Sequence, residues 1–228
     1  GVANENISGT VITLTADTGI GATGGTLDID TAGTELDLTS DTGGIFVTET
    51  DAVQLGNGTG GVNTTTSGNI EIEAGGAITT ANTITTAGNG NIDISTTVGD
   101  LTVANAITAN GTGTVTLDAA AALLVNAAVS STTGALDLTG GTGVTHNASG
   151  DLTTGGAGTI TVAATANDVT MADGTVYTAD TGTIDVTADT SVELFEVDSN
   201  GLLSVTATNN DINANAAISV GSLTFNAN

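Results

Sequence analysis

The sequence predicts an all-β fold, a parallel β-helix built as one solenoid array over residues 1–228. Three observations predict it. A phrase of the form Gly-x-apolar-x-apolar returns along most of the chain, at spacings of 18 to 25 residues, for about 19–25 residues per coil. A second apolar phrase follows it about ten residues behind. The composition supplies small β-formers and turn residues, with only 2% aromatics and 33 glycines among 228 residues. A core of Ala, Val, Ile and Leu needs many small, regular contacts, which a stack of like coils provides.

The first phrase appears at Gly25-Leu27-Ile29, Gly43-Ile45-Val47, Gly68-Ile70-Ile72 and Gly90-Ile92-Ile94. It continues at Gly113-Val115-Leu117, Gly134-Leu136-Leu138, Gly158-Ile160-Val162, Gly182-Ile184-Val186 and Gly201-Leu203-Val205. Alternating apolar residues put one face of each strand inside and the other in solvent. The second phrase reads AITTANTIT from residue 77 and DLTVANAIT from residue 100, more loosely LLVNAAV from residue 123 and GVTHNAS from residue 143, and later DVTMADGTV from residue 168 and DINANAAIS from residue 211. Asn82, Asn105, Asn126 and Asn147 occupy nearly equivalent places in it, with Asp173 and then Asn215 in later coils. Stacked Asn amides can bond from coil to coil, so these residues form a candidate structural ladder.

One coil therefore holds at least two short strands and two or three turns. Roughly ten coils spaced by about 4.8 Å make a rod about 50 Å long. Glycine at the corners permits positive φ and close backbone approach. A β-sandwich also has many short strands, but its strands have no reason to resemble one another. The one run that could be helical, residues 118–129, sits in phase with the strand repeats on both sides. The repeats are clearest over residues 60–190, and no separate capping domain is visible.

Charge narrows the function classes. The chain has 25 acidic residues and no Lys or Arg, a formal net charge of −25. Phosphate neutralisation needs Lys and Arg, so nucleic acid is excluded as a partner. Adhesion to an anionic membrane is disfavoured for the same reason, and no run of apolar residues is long enough to insert. Without Cys, the redox compartment is not readable.

The phrases GNIEIEAGGAITTANTITTAGNGNIDI and DLTVANAITANGTGTVTLDA resemble the repeats of filamentous-haemagglutinin-type and autotransporter-type bacterial adhesins. That resemblance implies a right-handed β-helical stalk, extracellular, at a bacterial surface or in its secreted matrix.

The residues offer few candidates for chemistry. The outward column of the first phrase reads Asp28, Glu71, Asp93, Thr116, Asp137, Thr161, Asp185 and Ser204. Stacked in register, its carboxylates repel. Asp28, Asp30, Glu71 and Asp93 are candidate ligands for Ca, which takes hard oxygen donors; a solvated acidic face screened by salt is the plainer reading. No other cofactor is expected. Some parallel β-helices cleave polysaccharides with paired carboxylates. Without Lys, Arg or aromatic platforms an enzyme is not expected here. Thr-x-Thr pairs at 83–85, 114–116 and 159–161 suggest an ice-binding ladder, but acidic copies interrupt it. His146, the only His, is expected on a surface turn. Phe46, Phe195, Phe225 and Tyr177 are expected as core or interface plugs.

Strand pattern begins within residues 7–14 and still runs through residues 219–225. Open solenoid ends invite stacking. The expected function is a structural stalk or filament subunit that self-associates end to end or continues into neighbouring segments of the same protein. The alternative is a segment of a larger adhesin that binds a receptor or a host or surface glycan.

Overall fold

The computed structural model describes residues 7–22, 28–57 and 60–227. They form a parallel β-solenoid of about nine turns and 25 strands, with no helix among the described residues. Gly25 and Leu27, which open the first copy of the main phrase, lie outside the described residues.

Each regular coil contributes three strands, one more than the minimum read from the sequence. The first column stacks β3 (Ile45–Glu49), β6 (Ile70–Ala74), β9 (Ile92–Thr96), β12 (Val115–Ala119), β15 (Leu136–Gly140), β18 (Ile160–Ala164) and β21 (Ile184–Ala188). The second stacks β4 (Val53–Leu55), β7 (Ile78–Thr80), β10 (Leu101–Val103), β13 (Ala122–Val125), β16 (Gly143–His146), β19 (Val169–Met171), β22 (Val192–Leu194) and β24 (Ile212–Ala214). The third stacks β5 (Val62–Thr64), β8 (Ile84–Thr86), β11 (Ile107–Ala109), β14 (Val129–Ser131), β17 (Leu152–Thr154) and β20 (Val176–Ala179). Four long strands turn corners without a break: β1 (Ile7–Ala16), β2 (Ile29–Ser40), β23 (Glu196–Ala207) and β25 (Ile218–Ala227). β2 alone pairs with β3, β4 and β5.

The register follows the sequence phrase. Ile70 faces Ile92, Ile92 faces Val115, and the column continues through Leu136, Ile160 and Ile184 to Leu203. All seven side chains are fully buried. Each such aliphatic contributes about 1.5–3 kcal/mol by leaving water, so the core is a set of parallel apolar ladders. The ambiguous run 118–129 is strand: it closes β12, forms β13 and opens β14.

The glycine column has a packing cause. A Cβ on Gly90, Gly113 or Gly134 would stand 2.0, 2.1 or 2.0 Å from the carbonyl oxygen of the glycine one coil below. Among the described glycines of this column, only Gly43 and Gly68 have φ in the left-handed region. Close backbone approach, more than backbone conformation, is what excludes a side chain there.

Candidate functional site

The acidic candidates gather on the outward side of the first column. Glu71 faces Asp93, and the same column runs on through Thr116, Asp137, Thr161 and Asp185 to Ser204, in the predicted order. Asp30 faces Thr48, and Thr48 faces Glu73, two residues further along the strands. Asp28, Asp30, Glu71 and Glu73 line a groove of about 280 Å³ whose remaining walls are Ala22, Phe46, Val47 and Thr48. The Thr48 hydroxyl donates to the Asp28 carboxylate. Asp93 lies one coil beyond the groove. Partial burial, and after it the charges of Asp118 and Glu73, hold its carboxyl above the usual range.

The structure thus brings together Asp28, Asp30 and Glu71 and adds Glu73. Its signal was present in Glu71-Ile72-Glu73, where alternation around one buried Ile turns both carboxylates outward. Among the described residues, no three His, Cys, Asp or Glu side chains are disposed to hold a metal ion. The groove offers carboxylate oxygens at strand spacing and an apolar wall from Phe46.

The predicted Asn ladder is only partly continuous. The Asn147 amide donates to Asn126 Oδ1. Asn105 instead reaches back to the Thr80 carbonyl at 3.2 Å, Asn82 accepts from the Thr83 N–H at 2.7 Å, and Asn215 donates to Glu193 at 2.7 Å. Of these, the bonds of Asn147, Asn105 and Asn215 cross to the preceding coil, and other side chains bond coil to coil as well. Asn69 and Asn91, in the variable place after the column glycine, accept the N–H of Asn91 and Thr114 one coil on, each at 3.0 Å. Asp100, Asp151 and Asp168 accept the N–H of Ala122, Val176 and Ser191 at 3.0, 2.8 and 2.8 Å. Three of the unpaired carboxylates therefore hold backbone donors of the next coil, which partly answers the missing Lys and Arg. Inside the coil, Thr86, Ser131, Thr154 and Ser199 donate to the carbonyls of Gly90, Gly113, Gly134 and Gly182.

His146 corrects the sequence reading. It is fully buried, not on a surface turn, because it shares inward parity with Val144 at the end of β16. The pairs Leu123/Val125 and Val169/Met171 in adjacent coils carry the same alternation, and that was the available signal. Tyr177 is a core residue as expected, Phe46 is buried along the groove, Phe195 packs partly on the core, and Phe225 is 44% exposed.

A second buried ionisable group was also missed. Glu49 is fully buried at the inner end of β3, where β6 and β12 carry Ala74 and Ala119. Its carboxylate accepts the Thr31 hydroxyl at 2.6 Å and the Gly33 N–H at 3.1 Å.

No family model matches the chain, no curated protein matches it, and no solved structure matches it.

Proposed function

We propose that this chain is a structural element of a bacterial surface appendage or extracellular matrix, a β-helical stalk or filament unit of the adhesin-repeat type. The observation that carries the reading is the state of its outermost coils. Among the described residues β1 pairs only with β2, and β25 only with β23, so each presents a parallel edge that no described strand pairs. On β25, Leu223 and Phe225 stand in register above buried Leu203 and Val205, yet are 50% and 44% exposed. An open, apolar, in-register edge is a template for one more coil. A second copy of the chain, or further coils of a longer one, supplies it in this reading. The repeat phrases quoted above support the adhesin-type assignment, and the bonded, column-wise build of the coils suits a load-bearing rod. Cations from solution, calcium among them, offset the outward carboxylates.

A segment that binds a receptor or glycan is the second reading, favoured by the acidic groove between Asp28 and Glu73.

Electron microscopy of the purified chain, with calcium and then with chelator, tests the first reading. Filaments of uniform width are expected. Their loss in chelator places a cation at the joint. Single short rods under both conditions remove end-to-end assembly.

A further inference from the structure

The chain's single histidine and single tyrosine meet inside the solenoid. Both side chains are fully buried, with rings edge to face, centroids 5.0 Å apart and planes at 70°. His146 stands where neighbouring coils place Val125 and Met171. Tyr177 stands where they place Leu152 and Val197. These are apolar positions filled by polar rings.

The imidazole Nδ1 lies 2.8 Å from the Gly150 carbonyl oxygen. A carbonyl only accepts, so Nδ1 carries the proton and Nε2 keeps its lone pair. Nε2 has no hydrogen-bond partner, and neither has the Tyr177 hydroxyl. Burial holds the imidazole down at about 4, against an opposing but smaller effect of the Gly150 carbonyl. β13, β18 and β19, packed against β16, carry no titratable side chain. On β15, Asp137 points outward and is exposed. On β20, Tyr177 is the only titratable group. Among the described residues, no side chain of these strands that faces the ring can balance a positive charge.

We infer that this pair is an acid-sensitive joint within the rod: a proton taken up from solvent at His146 Nε2 places an unpartnered cation in an apolar interior, and the coils carrying β16 and β20 open to hydrate it. Stability in a solenoid is held between nearest neighbours, so distant coils stay stacked. The sign is distinctive. Acidification elsewhere relieves repulsion among 25 carboxylates with no Lys or Arg, which favours the compact state. His146 pulls the other way in weak acid.

The test uses the full chain and its H146V variant, Val being the residue at this place in β10 and β13. Denaturant unfolding is followed from about pH 7.5 to about pH 5, above the isoelectric point of 4.1. Below about pH 6.5 the wild-type unfolding constant is expected to rise about tenfold per pH unit. That of H146V is expected to hold or fall. Hydrogen exchange at about pH 5 is expected to quicken in β16 and β20 but not in β9. Proton NMR of the one imidazole provides a check that needs no variant, since its signal should stay neutral in the folded chain down to about pH 5. An imidazole that titrates near 6.5 with the fold intact overturns the inference. So does an equal acid response in H146V, or exchange that quickens evenly along the rod.

Discussion

Gly182 lies so close to Gly158 that a Cβ on it would stand 1.7 Å from the Gly158 carbonyl oxygen. The contact repeats between neighbouring glycines of the column and draws the corner of each coil against the last. Gly182→Ala is therefore expected to cost about 1–3 kcal/mol or more through overpacking and backbone displacement. Gly9→Ala, whose nearest neighbour would be the Val11 oxygen at 3.6 Å, is expected to stay within about 0.5 kcal/mol of the parent. Urea melts of both variants make the comparison; equal stability of the two would remove the steric account of the column.

Glu49→Ala is expected to destabilise, although Ala is the residue at the equivalent place in β6 and β12. Removing the carboxylate strips the acceptor from the Gly33 N–H and the Thr31 hydroxyl inside the coil. Buried donors left without partners cost about 1–3 kcal/mol each. Glu49→Gln keeps one acceptor oxygen and should fall between. Thermal melts at neutral pH order the three proteins, and an Ala variant as stable as the parent would show that water replaces the carboxylate.

Asp93→Asn is expected to raise stability at pH 7. The folded carboxyl sits above its ordinary value of 3.8, because burial and then Asp118 and Glu73 disfavour its charge. A raised acid penalises the fold above its folded pKa, and the penalty fades as pH falls toward 3.8. The gain from the Asn change should therefore shrink on acidification and, because the site is half-exposed, with added salt. A substitution that lowers the melting temperature at neutral pH would mean that Asp93 has a bound cation or another stabilising partner.

Thr80→Val is expected to cost about 1–3 kcal/mol. The Thr80 hydroxyl accepts the N–H groups of Ala104 and Asn105, both at 3.0 Å, and donates to the Asn105 carbonyl at 3.1 Å. Asn82→Ala, which removes one exposed local bond to the Thr83 N–H, should change little. Paired chemical denaturation curves decide whether hydroxyls inside the coil or amides on the turn hold this corner. A larger loss for Asn82 would restore the amide ladder to the leading role.

Strand existence, parallel stacking and the register of the first column were legible in the sequence, because the phrase repeats with its parity intact. Ile70, Ile92, Val115 and Leu136 had to share one side of one sheet once their glycines were aligned. The outward order from Glu71 to Ser204 followed from the same parity. Three strands per coil were harder to see. The second and third columns use strands of three or four residues, too short to show a period, and the Thr-x-Thr pairs that looked like one ladder fall on different columns: Thr85 lies in β8, while Thr116 and Thr161 lie in β12 and β18.

The sequence by itself determined what a local repeat can determine: a solenoid, its approximate pitch in residues, an unpaired acidic surface and the absence of Lys and Arg. Tertiary structure decided which polar groups are inside. His146 reads as a surface-turn residue along the chain, and nothing in the local sequence marks Glu49 as buried. They are buried because the coil's parity turns them inward and neighbouring coils cover them. It also decided which side chains bind coil to coil. A hydrogen bond between coils joins residues about 22 positions apart, such as Asn69 and Asn91, and depends on backbone direction at the turn. That direction is fixed only when the coils are stacked.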